Sequence, residues 1–146
     1  KKLKLILISQ YSKKIKESGK KFLGICVGMQ VLASEGHEFE TYPGLNWIEG
    51  QVRRLNVINH PLPHIGWNNL DIPANSSWSK FHDQDFYFVH SYCFDLANPG
   101  ALVATAHYEE NIAAIINQDN LWGVQFHPEK SSLSGQNLLK HFMDLP

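Results

Sequence analysis

What this chain has little of narrows its class first. Cysteine is scarce: Cys26 and Cys93 are the two present, far apart and in different surroundings. That makes neither a disulfide framework nor a Cys-x-x-Cys pair, and a reducing cytoplasm is the expected compartment. Long apolar runs are missing. Leu5-Ile6-Leu7-Ile8 is followed at once by polar residues, far short of the roughly 20 residues that span a bilayer. It also lacks the small-residue cleavage pattern of a signal peptide. Neither sign of charge dominates, since 13 basic and 14 acidic side chains leave a formal net charge of −1. The lysines between Lys1 and Lys21 read as a solvated helix face, so neither nucleic acid nor a membrane is expected as a partner. No repeat, low-complexity tract or linker divides the chain. With 43% hydrophobic and 18% charged residues in 146, residues 1–146 are expected to form a single globular domain with a sizeable core. The chain opens on Lys1 in what reads as mid-protein sequence, so the domain is expected to be incomplete at its N-terminus.

Periodicity then supplies elements. Leu3 to Glu17 has near-helical apolar spacing, and Ser18-Gly19 ends it. Phe22 to Cys26 is a short apolar run, expected as a strand buried on both faces. Met29, Val31, Leu32 and Ala33 predict a helix that stops before Gly36. Tyr42 to Ile72 carries short strands and turns, broken at Pro43-Gly44 and Pro61-Leu62-Pro63. Strands are expected over Gly50–Val57, Phe86–Phe94 and Leu121–Phe126. Leu102–Tyr108 and Ile112–Asn117 form a further pair joined through Glu109-Glu110-Asn111. Leu133 to Leu145 predicts a closing helix. The order argues for an α/β domain around a central sheet.

Gly24-Ile25-Cys26-Val27-Gly28 has the form G-x-C-x-G, between the expected strand and helix. This is the nucleophile-elbow pattern with Cys in place of Ser. A sharp strand-to-helix turn holds its nucleophile in a strained conformation, and small neighbours avoid clashes there. The helix points its N-terminus at the sulfur, which favours thiolate. The Val27 N–H is placed to bind an oxyanion. A free cysteine is more often a small buried hydrophobe, and that is the expectation for Cys93.

Trp122 to Glu129 reads W-G-V-Q-F-H-P-E, with a His and a Glu two residues apart beyond a buried strand. A thiol nucleophile needs a base, and the base needs an orienting partner. Pro128 stiffens the link and disfavours a helical conformation at His127. Eight histidines raise the alternative of a metal site, but His127-Pro128-Glu129 has neither H-E-x-x-H spacing nor a Cys pair. No metal and no cofactor are expected. A solvated loop with a chance His and Glu is the other alternative. Taken with the elbow, catalysis is the better account, and Cys26, His127 and Glu129 are the candidate triad.

The blocks Gly24–Gln30 and Gly123–Glu129 together resemble the paired signatures of class I, or triad, glutamine amidotransferases. Within that family, Pro63-His64-Ile65-Gly66-Trp67-Asn68 and Phe88-Val89-His90-Ser91-Tyr92 are similar to the glutaminase subunits of imidazole glycerol phosphate synthases. The likeness runs from Phe22 to the C-terminus. It implies a central, mostly parallel sheet flanked by helices. It implies hydrolysis of glutamine to glutamate and ammonia through a thioester on Cys26, with Val27 in the oxyanion hole and Gln30 in the glutamine pocket. His90, Ser91 and Tyr92 match the segment that holds the α-amino and α-carboxylate groups. Pro63, His64, Gly66, Trp67 and Asn68 match a stretch near a synthase (cyclase) subunit, the ammonia acceptor, so a heterodimer working in histidine biosynthesis is implied. Read without the resemblance, residues 63–68 are a polar turn with a half-buried Trp, and residues 90–92 are a strand end. Family members begin with a strand and carry a Gly-rich segment that supplies a second oxyanion donor. This chain contains neither, so the domain is expected to lack its N-terminal strands and to be poorly stable as an isolated monomer.

Three alternatives stay open. A paralogous glutaminase would feed another acceptor, such as a surface-sugar amidotransferase. A plain cysteine hydrolase would use the same triad, although Gln30 and His90-Ser91-Tyr92 speak against it. A truncated, non-catalytic chain would act as a binding subunit.

Overall fold

The computed structural model describes residues 14–146. The helix expected over Leu3–Glu17 lies mostly outside the described residues, and residues 14–17 are helical. The elements that follow are β1 (Phe22–Ile25), α1 (Val27–Gln30), β2 (Glu35–His37), β3 (Thr41–Pro43), β4 (Gly50–Arg54), β5 (His64–Asn69), β6 (Asp85–His90), β7 (Tyr92–Leu96), β8 (Leu102–Tyr108), β9 (Glu110–Gln118), β10 (Leu121–Val124) and α2 (Ser132–Asp144).

Three sheets share the core. One has the order β1-β10-β9-β8, a second β3-β2-β4-β7, and β5 pairs with β6. The β1–β10 and β2–β4 pairings are parallel, and the others are antiparallel. The expected mostly parallel sheet is therefore corrected among the described residues. The chain passes from β8 to β9 and from β9 to β10 through tight turns, and such turns join only antiparallel neighbours. The first of these turns falls at Glu109, at φ 57°.

The α/β class holds, with several boundaries moved. The run Phe86–Phe94 is two strands rather than one. It breaks at Ser91, where the chain leaves β5 for β4 as its partner. Helix α1 is a single turn instead of reaching Ala33. The carbonyls of Val31, Leu32 and Ala33 are taken by the N–H groups of Leu45, Trp47 and Asn46, which leaves no helical continuation. Residues 64–69 form a strand rather than a polar turn, because β6 supplies a full antiparallel ladder from His64↔His90 to Asn69↔Asp85. Strand β1 is half-buried except at Gly24 rather than buried on both faces.

Strand β9 is the centre of the core. Ile112 and Ala114 face the larger apolar cluster, and Ala113 and Ile116 face the smaller one. In the larger cluster Phe126 lies with its ring centroid 4.4 Å from Phe86 and 5.6 Å from Phe88. Such aromatic pairs contribute about 0.5–1.5 kcal/mol beyond their burial. This packing, with the His127 N–H donating to the Tyr87 carbonyl at 2.8 Å, pins the segment that follows β10 onto β6. Cys93 is 2% exposed in β7, and burial pushes its thiol up to about 12, as expected of a core cysteine. Among the described residues no helix is long and apolar enough to cross a membrane.

Candidate active site

Cys26 and the His127 segment lie about a hundred residues apart in the chain, and triad members need meet only in space. They are brought together by register. In the parallel β1–β10 pair, Ile25 stands beside Val124, so Cys26 and Gln125 leave adjacent strand ends together. The Cys26 N–H donates to the Val124 carbonyl at 2.8 Å. The carboxyl ends of parallel strands are the usual place for ligands in α/β sheets.

The elbow is real and strained. Cys26 has φ 52° and ψ −111°, a region that costs a non-glycine residue on the order of 1–3 kcal/mol. The turn folds back so tightly that a Cβ on Gly24 would collide with the backbone of Gly28 and Met29. Gly28 itself has open space where its Cβ would be. Only the first of the two glycines answers the expected steric demand.

The sulfur lies 3.7 Å from the Val89 carbonyl and 3.8 Å from the Gln125 Nε2. Burial pushes the Cys26 thiol up from its ordinary value, while the Val27 N–H and the Gln125 amide pull it down and the Glu129 charge adds to the rise. The thiolate expected from the following helix is thus not the resting form. Helix α1 is too short to bring a strong dipole to the sulfur.

His127 Nδ1 lies 2.7 Å from Glu129 Oε1. Burial opposes ionisation of Glu129, but the bond to His127 and the charges of His127 and Lys130 outweigh it and hold the carboxyl below its usual range. The His127 carbonyl accepts from Ser131 Oγ at 2.6 Å, and that oxygen accepts from the Tyr87 N–H at 2.9 Å. The dyad is therefore anchored by backbone on both sides. Among the described residues, the imidazole makes no hydrogen bond to the Cys26 sulfur. The same is common in unliganded sites, whose catalytic bonds tighten when substrate binds.

A cavity of about 190 Å³ opens beside α1. Val27 and Gln30 line it from the elbow, Tyr92 from β7, and Glu35, Glu38 and Tyr42 from the segment after α1. Gln30 Nε2 donates to the Tyr92 carbonyl at 2.9 Å and to Gln125 Oε1 at 3.1 Å. Sequence reasoning missed Gln125, which is fully buried although it sits inside the Gly123–Glu129 block. It also missed Glu35, Glu38 and Tyr42, for which no local motif exists. The His90 side chain, expected with the substrate-holding segment, is buried and turned to His64, at 3.0 Å. Ser91 is the half-buried residue between β6 and β7.

The residues expected near a partner lie on β5 and the loop before it. Trp67 and Ile65 are 53% and 58% exposed, while His64 is 3% exposed. Trp67 is thus more open than the half-buried residue expected, and it packs edge-on against Tyr87 across the ladder. Pro63, Gly66 and Asn68 flank it along the same strand and loop. Among the described residues, no group of three His, Cys, Asp or Glu side chains is placed to hold a metal ion.

An imidazole glycerol phosphate synthase subunit HisH from Ruegeria pomeroyi is 42% identical over 133 residues, which cover 88% of this chain and 63% of that protein. The subunit HisH of Rhodospirillum rubrum is 45% identical over 127 residues, 84% of this chain and 59% of that protein. The chain thus spans less than two thirds of the length of these curated relatives. A crystal structure of a glutamine amidotransferase aligns with TM-score 0.68 and 19% identity, covering 94% of this chain and 67% of that one. Another, from Thermotoga maritima, aligns with TM-score 0.61 and 22% identity, covering 96% and 54%. At those identities the likeness establishes the fold alone. The family model for class-I glutamine amidotransferases matches residues 7–145, and the chain is a member of that family.

Proposed function

We propose that this chain is the glutaminase portion of an imidazole glycerol phosphate synthase, hydrolysing glutamine to glutamate and ammonia at Cys26. The observation that carries the reading is the β1–β10 register. It sets a strained cysteine level with Gln125, two residues before the backbone-anchored His127–Glu129 pair, while Val27 and Gln30 on the other side of the cysteine line a cavity. The names of the relatives point to the synthase.

Glu129 accepts the Nδ1 proton of His127, which leaves Nε2 as the base. His127 takes the thiol proton, and Cys26 Sγ attacks the side-chain amide carbon of glutamine. The Val27 N–H, which already faces the sulfur, meets the developing oxyanion. His127 returns its proton to the leaving nitrogen, and ammonia departs from a γ-glutamyl thioester. A water deprotonated by His127 then releases glutamate and restores the thiol. Glu35 and Glu38 offer carboxylates to the α-ammonium, and Tyr92 closes the pocket from β7. Ammonia passes to a synthase (cyclase) subunit docked on the Trp67 face. A thiol whose hydrogen-bond contacts are the Val89 carbonyl and the Gln125 amide rather than His127 suits an enzyme that is slow until that partner docks. A paralogous glutaminase with another acceptor would share every residue named here, and only the partner separates the two.

The test is covalent labelling with a diazo-ketone analogue of glutamine, with and without the synthase subunit, located by peptide mass spectrometry. Label confined to Cys26, faster with partner and lost in His127→Ala, supports the reading. Label on Cys93, or none under either condition, overturns it.

A further inference from the structure

Two buried histidines outside the triad join the exposed β5 strand to the glutamine pocket. His64 and His90 are 3% and 6% exposed and face one another across the β5–β6 ladder, with His64 Nδ1 3.0 Å from His90 Nε2. The sense of this contact is set from one end. His90 Nδ1 lies 2.8 Å from the Tyr92 carbonyl, and a carbonyl only accepts, so Nδ1 carries the hydrogen. In a neutral ring Nε2 is then the acceptor, and His64 must donate to it from Nδ1. His64 Nε2 is left as an acceptor facing the Asn68 amide at 3.4 Å, and that amide also donates to the His107 carbonyl at 2.9 Å. The His64 ring is stacked on Tyr108 at 4.0 Å and on Phe88 at 4.9 Å, which fixes its plane, and a half-turn within that plane would present a carbon to His90 in place of Nδ1. Burial holds both rings neutral, with each pKa pushed down to about 4.

The same Tyr92 carbonyl orients the pocket. It accepts from Gln30 Nε2, whose second hydrogen goes to Gln125 Oε1, so the Gln125 amide nitrogen faces the Cys26 sulfur. One carbonyl therefore dictates the orientation of His90 and His64 on one side and of Gln30 and Gln125 on the other. Asn68, at the outer end, is the neighbour of exposed Trp67.

We propose that His64 and His90 are positioning residues for the glutamine pocket, a directional hydrogen-bond relay that holds the Tyr92 carbonyl and Gln30 in place and transmits displacement of β5 to them. This rests on the glutaminase reading for its kinetic part. The structural part stands on the bonding pattern.

The test uses nitrogen-15 NMR on the whole chain, followed by kinetics with the synthase subunit. Near neutral pH both rings are expected to carry hydrogen on Nδ1 and none on Nε2. In His64→Leu the Gln30 side-chain amide resonances shift. In His64→Asn, whose amide nitrogen stands where Nδ1 stood, they return. The KM for glutamine is expected to rise about tenfold in His64→Leu, the worth of one hydrogen bond, with kcat within about twofold of wild type and recovery in His64→Asn. A protonated Nε2 on either ring of the wild type overturns the relay, whether or not the variants fold. So does an unmoved Gln30 amide in folded His64→Leu, an unchanged KM there, or an Asn variant as defective as the Leu variant, which would reveal mere packing. A wild-type chain that fails to turn over glutamine would refute the glutaminase reading instead, and the ring and amide resonances would still judge the relay.

Discussion

Mild acid is expected to unload stability from this fold through the His64–His90 pair. Burial is the main cause of both depressed pKa values, about 4 in the fold against 6.5 for the free ring. The unfolded chain therefore takes up protons first as pH falls. The contribution is complete above the unfolded value of 6.5 and is lost as pH descends toward 4. Between about pH 7 and pH 5 the loss works out at about 2 kcal/mol for each ring, or about 3–4 kcal/mol for the pair. That is a large share of the roughly 5–15 kcal/mol that holds a domain together. Urea unfolding midpoints across this range measure it, alongside His64→Asn/His90→Gln, in which neither position titrates. His141 is also depressed by burial, but it is common to both proteins and cancels in the comparison. If the variant does not fold, proton uptake on unfolding the wild type near pH 5 includes the pair's share of about two protons together with that of His141, and is expected to be at least about two. Equal pH dependence in variant and wild type, or uptake near zero, would refute the reasoning.

Gly24→Ala is expected to cost about 1–3 kcal/mol from overpacking at the elbow, whereas Gly28→Ala leaves the melting temperature nearly unchanged; equal effects would contradict the steric asymmetry. Phe126→Ala should lose about 3–5 kcal/mol and slow Cys26 labelling, since Phe126 holds the His127 segment on β6, and differential scanning calorimetry measures the first. Glu109 is held down to about 2, chiefly by the Ile58 N–H and then by His60 and the Asn59 N–H. Its stabilisation is present above the ordinary value of 4.5 and lost as pH falls toward 2, so Glu109→Gln should flatten acid unfolding in that window and leave neutral stability less favourable than wild type. His127→Ala should lower the hydrolysis rate by about 10²–10⁴-fold while leaving the circular dichroism unchanged.

The geometry of the candidate site was legible where it is covalently local. Gly24 to Gly28 and His127 to Glu129 each announce themselves because a turn and its reactive group are neighbours in the chain. Positions created by pairing were not legible. Residues 63–68 read as a polar turn because nothing in them reveals β6, and nothing in them announces the burial of His64, against which Phe88 and Tyr108 stack. The run through Ser91 reads as one strand because propensity does not register a change of partner. The β8–β9 hairpin was legible from its turn, but the antiparallel pairings of β4 with β7 and of β5 with β6 were hidden for the same reason. Gln125 illustrates the limit best: the residue was in view, and its role depends on a sulfur and an amide about a hundred positions away.

The parallel seam between β1 and β10 also bears on how such a protein is made. Phe22 pairs with Leu121, about a hundred residues later, and so distant a closure is a slow, late event in folding. Cys26 leaves the ribosome well before His127 does, by roughly 5–20 s at ordinary elongation rates of about 5–20 residues per second. Throughout that interval the cysteine is an ordinary thiol, without strain, pocket or imidazole. The strained turn and its Gln125 and His127–Glu129 neighbours are thereby assembled only when the last strand docks, so a prematurely terminated product carries the cysteine without them.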